Sequence, residues 1–201
     1  FRGFVKNWEK VREKKRLPAI LSREECQALM SAFKKGKHRL ALRNNLILRT
    51  LYATGMRIDE LENLKFCDIN HDAHTVFIRE GKNGKDRYVC IDDGTLRLLK
   101  KWQGKKGYGD SIFGIGTRQL RRVVEKAGRL VGVSQKYDAM ERVFSCHTLR
   151  HAFATHCYEN GMRIMTLQRL LGHEYMGTTR IYIHTAKKYD LREYFRTHPL
   201  K

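Results

Sequence analysis

A few residues, far apart in the chain, have the types that phosphate chemistry needs. They are Arg57 in Thr54-Gly55-Met56-Arg57-Ile58-Asp59-Glu60, His147 and Arg150 in Cys146-His147-Thr148-Leu149-Arg150-His151, His173 after Leu170-Leu171-Gly172, and Tyr182 in Ile181-Tyr182-Ile183. A guanidinium stays charged, and its planar fork grips two phosphate oxygens. An imidazole can hydrogen-bond a phosphate or carry a proton near neutral pH. A phenol has an unperturbed pKa of about 10, so it attacks at neutral pH only with nearby positive charge or a base. Cutting a phosphodiester without a metal asks for such a set: donors around the oxygens that gain charge, and a proton for the departing sugar oxygen.

Spacing decides how much weight each residue bears. His147 and Arg150 are three apart, so on a helix they share a face and can point at one phosphate. With Ser145 or Cys146 preceding that helix, the pair falls in its first turn, where the helix dipole also favours an anion. Alone, His-x-x-Arg more often means a surface arginine and a satisfied core histidine. Gly172 is suited to end a helix in the left-handed conformation, which would expose His173 at the helix end. A solvent-facing loop histidine is the plain competitor there. Tyr182, nine residues beyond His173, competes with the usual half-buried core tyrosine. Glu60, three residues after Arg57, can orient an arginine or a neighbouring histidine, or be an ordinary surface carboxylate.

The elements that position these residues are mostly helical. Ser22-Arg23-Glu24-Glu25 is a capping-box pattern, so a helix is expected over about residues 23–33. Leu42, Leu46, Ile47 and Leu51 recur at helical spacing over 40–52, with Gly55 as the C-cap. A short helix is then expected to carry Arg57, Ile58, Leu61 and Leu64. Thr75–Ile78 and Arg87–Ile91 flank Lys82-Asn83-Gly84-Lys85, and Asn-Gly between two β-rich runs is a strong hairpin signal. Further helices are expected at 93–102, 117–131, 147–159, 164–171 and 178–184. No internal repeat and no low-complexity segment stands out.

Composition narrows the partner. The chain has 201 residues, with 41 Lys and Arg against 21 Asp and Glu, a formal net charge of +20 and a pI near 10.0. That excess points to a polyanion, with nucleic acid first. An anionic membrane surface normally needs a basic amphipathic helix or polybasic tail, whereas the basic residues here are spread along the chain. No apolar run approaches the roughly 18 residues of a membrane span, and residues 1–16 show no secretory h-region. The five cysteines, Cys26, Cys67, Cys90, Cys146 and Cys157, lack paired metal-ligand spacing and read as reduced core thiols of a cytosolic or nuclear protein. A zinc set of Cys146, His147 and His151 is disfavoured for the same reason.

Taken together, the blocks around Arg57, His147–His156 and His173–Tyr182 closely resemble the catalytic domain of the tyrosine recombinase (phage-type integrase) family. The resemblance spans about residues 17–190 and is poor between Trp102 and Val143. It implies an α+β, mostly helical fold with a small antiparallel sheet. Residues 17–201 would form the catalytic domain with a C-terminal tail. Residues 1–16 would be a basic linker or the remnant of an N-terminal DNA-binding domain. By this resemblance Tyr182 is the nucleophile, while Tyr175 and Tyr189 have the wrong spacing. Arg57, Arg150 and His173 hold the phosphate, His147 handles the tyrosine proton, and Glu60 supports them. Lys82, near the start of the hairpin turn, protonates the leaving 5′ oxygen, with Lys85 as runner-up. No metal or cofactor is implied. The implied partners are double-stranded DNA and further copies of the chain, as a tetramer on paired sites, without a membrane. The implied setting is the cytoplasm at the nucleoid, or the host cell of a mobile element or virus. A type IB-like topoisomerase, a catalytically silent DNA-binding module and a metal-dependent nuclease are the competing classes. An intact nucleophile argues against the second, and the lack of a carboxylate cluster or P-loop against the third.

Overall fold

The computed structural model describes residues 19–33, 39–79, 86–173, 177–179 and 182. Lys82, Lys85, residues 1–16 and most of the helix expected at 178–184 lie outside these, although 177–179 and Tyr182 are helical.

The chain opens with α1 (Arg23–Met30), whose start follows the capping box. The Ser22 N–H donates to Glu25 Oε2 at 2.7 Å, and the Glu25 N–H donates to Ser22 Oγ at 3.1 Å. The helix ends three residues earlier than expected. There the Ser31 hydroxyl turns back onto the carbonyls of Gln27 and Ala28, and the N–H groups of Ser31 and Ala32 form tighter three-residue turns. Next, α2 (Arg39–Thr54) runs through the middle of the molecule and packs on α1, on three later helices and on one strand. Leu46, Ile47, Leu48 and Leu51 are all buried, so α2 is covered on several sides rather than along one stripe. Gly55 ends it at φ +63°, as its position predicts. The following short helix, α3 (Ile58–Asn63), begins one residue later than expected: Arg57 is its N-cap, in extended conformation, and not a helical residue.

A 3-10 turn, Phe66–Asp68, leads to β1 (Ile69–Asn70), β2 (Thr75–Ile78) and β3 (Arg87–Cys90), an antiparallel sheet in the order β1-β2-β3. Val76 pairs with Ile69 on one side and Val89 on the other, and Phe77 with Tyr88. Val76, Ile78 and Val89 face the core, whereas Tyr88 and Cys90 are exposed. Cys90 is therefore not the core thiol expected. Of the other cysteines, Cys26 and Cys146 are buried, Cys67 and Cys157 are half-buried, and all five are free.

The remaining helices are α4 (Asp93–Gln103), α5 (Thr117–Leu130), α6 (Val133–Asp138), α7 (Cys146–Glu159) and α8 (Ile164–Leu171). Four match expected elements to within a residue or two. The fifth, α6, is unforeseen. No described helix is long and apolar enough to cross a membrane. Two buried clusters result. The larger one joins α1–α6, the sheet and the start of α7; the smaller one holds Ala154, Tyr158, Leu167, Leu171 and Tyr182. α7 belongs to both, so its two faces link the main core to Tyr182.

Candidate active site

The site is assembled at the C-terminal end of α8. Gly172 caps that helix in the left-handed conformation, φ +61° and ψ 45°, and turns the chain so that His173 follows directly. Three successive carbonyls at this turn receive three arginines. Arg87 Nε donates to Leu170 O at 2.9 Å, Arg150 Nη2 to Leu171 O at 2.6 Å, and Arg57 Nη2 to Gly172 O at 3.3 Å. The last carbonyls of a helix lack partners within it and carry the negative end of its dipole, so cations are favoured there.

Arg150 comes from α7 and is 5% exposed. Its Nη1 also donates to the carbonyl of Gly55 at 2.8 Å, which ties the α2–α3 turn to the end of α8. Burial, together with the charge of Arg57, pulls its pKa down to about 10, against the opposing carboxylate of Glu60. Arg57 reaches the same place from its N-cap position. Its backbone N–H donates to Glu60 Oε2 at 2.7 Å and its Nη1 to Glu60 Oε1 at 3.0 Å. Glu60, in the first turn of α3, thus orients Arg57. It is buried, which raises its pKa, but the hydrogen bonds and charges of Arg87 and Arg57 outweigh this and hold it below the usual value.

His173 is half-buried rather than exposed: its backbone N–H donates to Gln168 O at 3.1 Å and its carbonyl accepts from Gln168 Nε2 at 3.1 Å, which holds it against α8. Its Nδ1 pairs with Thr179 Oγ1 at 2.9 Å, and its ring stacks on Tyr182 with 6.4 Å between centroids and 14° between planes. Burial and the neighbouring guanidiniums, Arg150 before Arg57, push its pKa down to about 4, so the ring is neutral near pH 7. Tyr182 is 1% exposed. Burial raises its pKa, and the charges of Arg150 and Arg57 pull the other way. Its hydroxyl lies 3.1 Å from Nδ1 of His151.

Five of the residues expected from the sequence, Arg57, Glu60, Arg150, His173 and Tyr182, are therefore brought together. His147, second in α7, is exposed, and the imidazole set against the phenol is His151 instead. Arg150 is the fifth residue of α7, so only His147 lies in the first turn that was expected to hold both. Sequence reasoning assigns Arg87 no role in the site, and His151 only a place in the disfavoured zinc set. His151 sits inside a block already quoted, one residue beyond Arg150. For Arg87 no local signal exists. Among the described residues, no group of three or more His, Cys, Asp or Glu is placed to hold a metal ion. The Cys146 thiol is pushed up to about 11 by burial.

This helical domain gathers guanidiniums, imidazoles and a buried phenol at one helix end, groups whose chemistry suits a phosphate. The sequence profile of the phage integrase family matches residues 19–189, and the chain belongs to that family. It is 35% identical over 201 residues to the tyrosine recombinase XerC of Halalkalibacterium halodurans, covering 92% of this chain and 63% of that protein. The crystal structure of XerA recombinase matches with a TM-score of 0.73 at 25% identity, covering 95% of this chain and 67% of that one. A crystal structure of the XerH site-specific recombinase bound to its palindromic difH substrate, a post-cleavage complex, matches with a TM-score of 0.71 at 27% identity, covering 90% of this chain and 54% of that one. The fold is that of a tyrosine recombinase catalytic domain, mostly helical with a small antiparallel sheet. The chain spans 63% of the length of the XerC relative.

Proposed function

We propose that this chain cuts and rejoins double-stranded DNA at specific sites through a 3′-phosphotyrosine intermediate. The observation that supports this most is the placement of the Tyr182 hydroxyl beside His151, in the field of Arg57 and Arg150, with His173 stacked on the ring. Tyr182 Oη attacks the scissile phosphorus while the bond to the 5′ oxygen breaks. The phenol proton passes to an imidazole. His151 is in place for it, and His147, exposed one turn before Arg150, is the second choice. Arg57, Arg150 and His173 stabilise the charge that grows on the non-bridging oxygens. Lys82 of the β2–β3 hairpin protonates the departing 5′ oxygen, with Lys85 as the alternative. Rejoining is the reverse: a 5′ hydroxyl attacks the phosphotyrosine and the phenol leaves.

Similarity to recombinases, one of them solved on its DNA substrate, supports a recombinase over a topoisomerase; in this reading the chain assembles as a tetramer on paired sites. In this reading residues 17–201 are the catalytic domain, residues 1–16 a basic linker or domain remnant, and the protein works on DNA in the cytoplasm or in the host cell of a mobile element. The test is incubation with a nicked suicide duplex, which traps the covalent adduct. Wild type should form it, and Tyr182→Phe should bind DNA but form none. Adduct at wild-type level in Tyr182→Phe would move the nucleophile elsewhere.

A further inference from the structure

We propose that Arg87 is a positioning residue for the phosphate site, an inference that rests on the strand-cleavage function proposed above. Arg87 opens β3, opposite Ile78, and its side chain is only 10% exposed. Its Nη1 and Nη2 donate to Oε1 and Oε2 of Glu60 at 2.8 and 2.7 Å. Its Nε donates to Leu170 O at 2.9 Å. The side chain lies flat on Gly172, where an added Cβ would sit 3.2 Å from Cδ, Nε and Cζ. Arg87 therefore fastens the sheet to both the carboxylate and the turn on which the site is built.

What this does for Arg57 follows from the capacity of a carboxylate, about four lone-pair sites on two oxygens. Arg87 takes one site on each oxygen of Glu60. The Arg57 backbone N–H takes a second on Oε2, and Arg57 Nη1 a second on Oε1. Glu60 is then filled. Arg57 keeps one side-chain bond to it, and its other arm rests on Gly172 O at 3.3 Å, the longest of the three arginine–carbonyl bonds at the α8 turn. That arm is the one most easily given up to a phosphate. Without Arg87, Glu60 regains two acceptor sites and an unshared charge. Arg57, already beside it, closes on the carboxylate as a two-armed fork and turns from the phosphate. The Leu170–Gly172 turn, and with it His173, also loses an anchor.

The full chain is tested as Arg87→Lys, which keeps the charge but not the fork, and as Arg87→Met, which removes both. Single-turnover adduct formation is measured at saturating nicked duplex on two substrates. One has a normal scissile phosphodiester. The other has a methylphosphonate, in which methyl replaces a charged non-bridging oxygen and leaves less charge for the arginines to stabilise. Both variants should lose roughly tenfold to a hundredfold in rate on the phosphodiester, with duplex affinity little changed. Most of that loss should disappear on the methylphosphonate. A loss of equal size on both substrates would reduce Arg87 to a structural role and overturn the inference, as would wild-type rates. If Arg87→Met fails to fold, Arg87→Lys with a wild-type circular dichroism spectrum carries the comparison. If wild type itself forms no adduct, the strand-cleavage function fails and the inference with it; if only Arg87→Lys matches wild type, the inference alone fails.

Discussion

Gly55→Ala should destabilise the chain through two separable effects. Gly55 closes α2 at φ +63°, and a non-glycine L-residue in that conformation costs about 1–2 kcal/mol. An added Cβ would also lie 2.2 Å from Cδ1 and 2.6 Å from Cε1 of Phe153. The ring must then move within the joint between α2 and α7, and overpacking of this kind costs about 1–3 kcal/mol. Together these come to about 2–5 kcal/mol, against a total stability of about 5–15 kcal/mol. Gly114 supplies the control: it has φ +62°, but nothing lies within 4 Å of its added Cβ. Gly114→Ala should therefore cost only the backbone part, about 1–2 kcal/mol. For a chain of this size Tm falls by about 2–4 °C per kcal/mol, so thermal melts should show losses of roughly 4–20 °C at Gly55 and roughly 2–8 °C at Gly114. Equal losses at the two sites would refute the Phe153 contact as a source of the cost. No loss at either would refute the backbone argument. The carbonyl of Gly55 holds Arg150, so adduct formation should also slow in Gly55→Ala at temperatures where it remains folded.

Other expectations follow from the same geometry. His151 is held below its ordinary 6.5 by burial and by the charges of His147 and Arg150, and once protonated it cannot accept the phenol proton. Adduct formation should therefore fall only as the pH drops below 6.5, and His151→Gln should remove that limb while His147→Gln keeps it; the opposite pattern assigns the proton to His147. Lys82→Ala should slow cleavage strongly on normal DNA and recover on a 5′-bridging phosphorothiolate, whose sulfur leaves unprotonated, whereas Lys85→Ala should show a smaller loss without recovery. Rescue of Lys85→Ala alone would exchange the two roles. With a net charge of +20, affinity for duplex DNA should fall steeply with salt as counterions are released, and a flat titration from low to high salt would contradict the electrostatic account.

Elements whose ends are written in a few adjacent residues were legible in the sequence. Ser22 and Glu25 mark the start of α1, Gly55 the end of α2, and Gly172 the end of α8. Elements that exist only through tertiary contacts were not. β1 is two residues long and is defined by its pairing with β2; α6 is six residues long and has no side-chain cap. The candidate site divides in the same way. Arg57, Glu60, Arg150, His173 and Tyr182 sit in short blocks with informative spacing. Arg87 does not, because its partners lie 27 and 83 residues away, and an arginine at a strand end reads as a solvent-facing charge. His147 took the proton role from the family resemblance, and its spacing put it on one helical face with Arg150; His151 was weighed only in a disfavoured zinc set. Periodicity cannot say which side of α7 meets Tyr182; the packing of α7 between the two buried clusters decides it.

That packing also explains why the site suits an anion before any DNA arrives. Three guanidiniums, Arg57, Arg87 and Arg150, are gathered around one carboxylate, Glu60, and the two imidazoles beside Tyr182 have lowered pKa values. With both rings neutral, the cluster keeps two positive charges in excess. Backbone carbonyls at Gly55, Leu170, Leu171 and Gly172 offset part of the cost of holding them out of water, but a carbonyl is only a dipole. The lowered pKa values of Arg150 and His173 are the signature of what remains uncompensated. A phosphodiester brings one negative charge and two non-bridging oxygens to this cluster. It would shift both pKa values back upward, since a nearby opposite charge favours the protonated form of each. His173, neutral at rest, would then protonate more readily and hold the phosphate by a charge-assisted hydrogen bond as the DNA binds. The same charge would hold the guanidiniums on the oxygens that must be stabilised when Tyr182 attacks. Substrate binding and preparation for attack would thus draw on one electrostatic imbalance, created by folding and relieved only by the ligand.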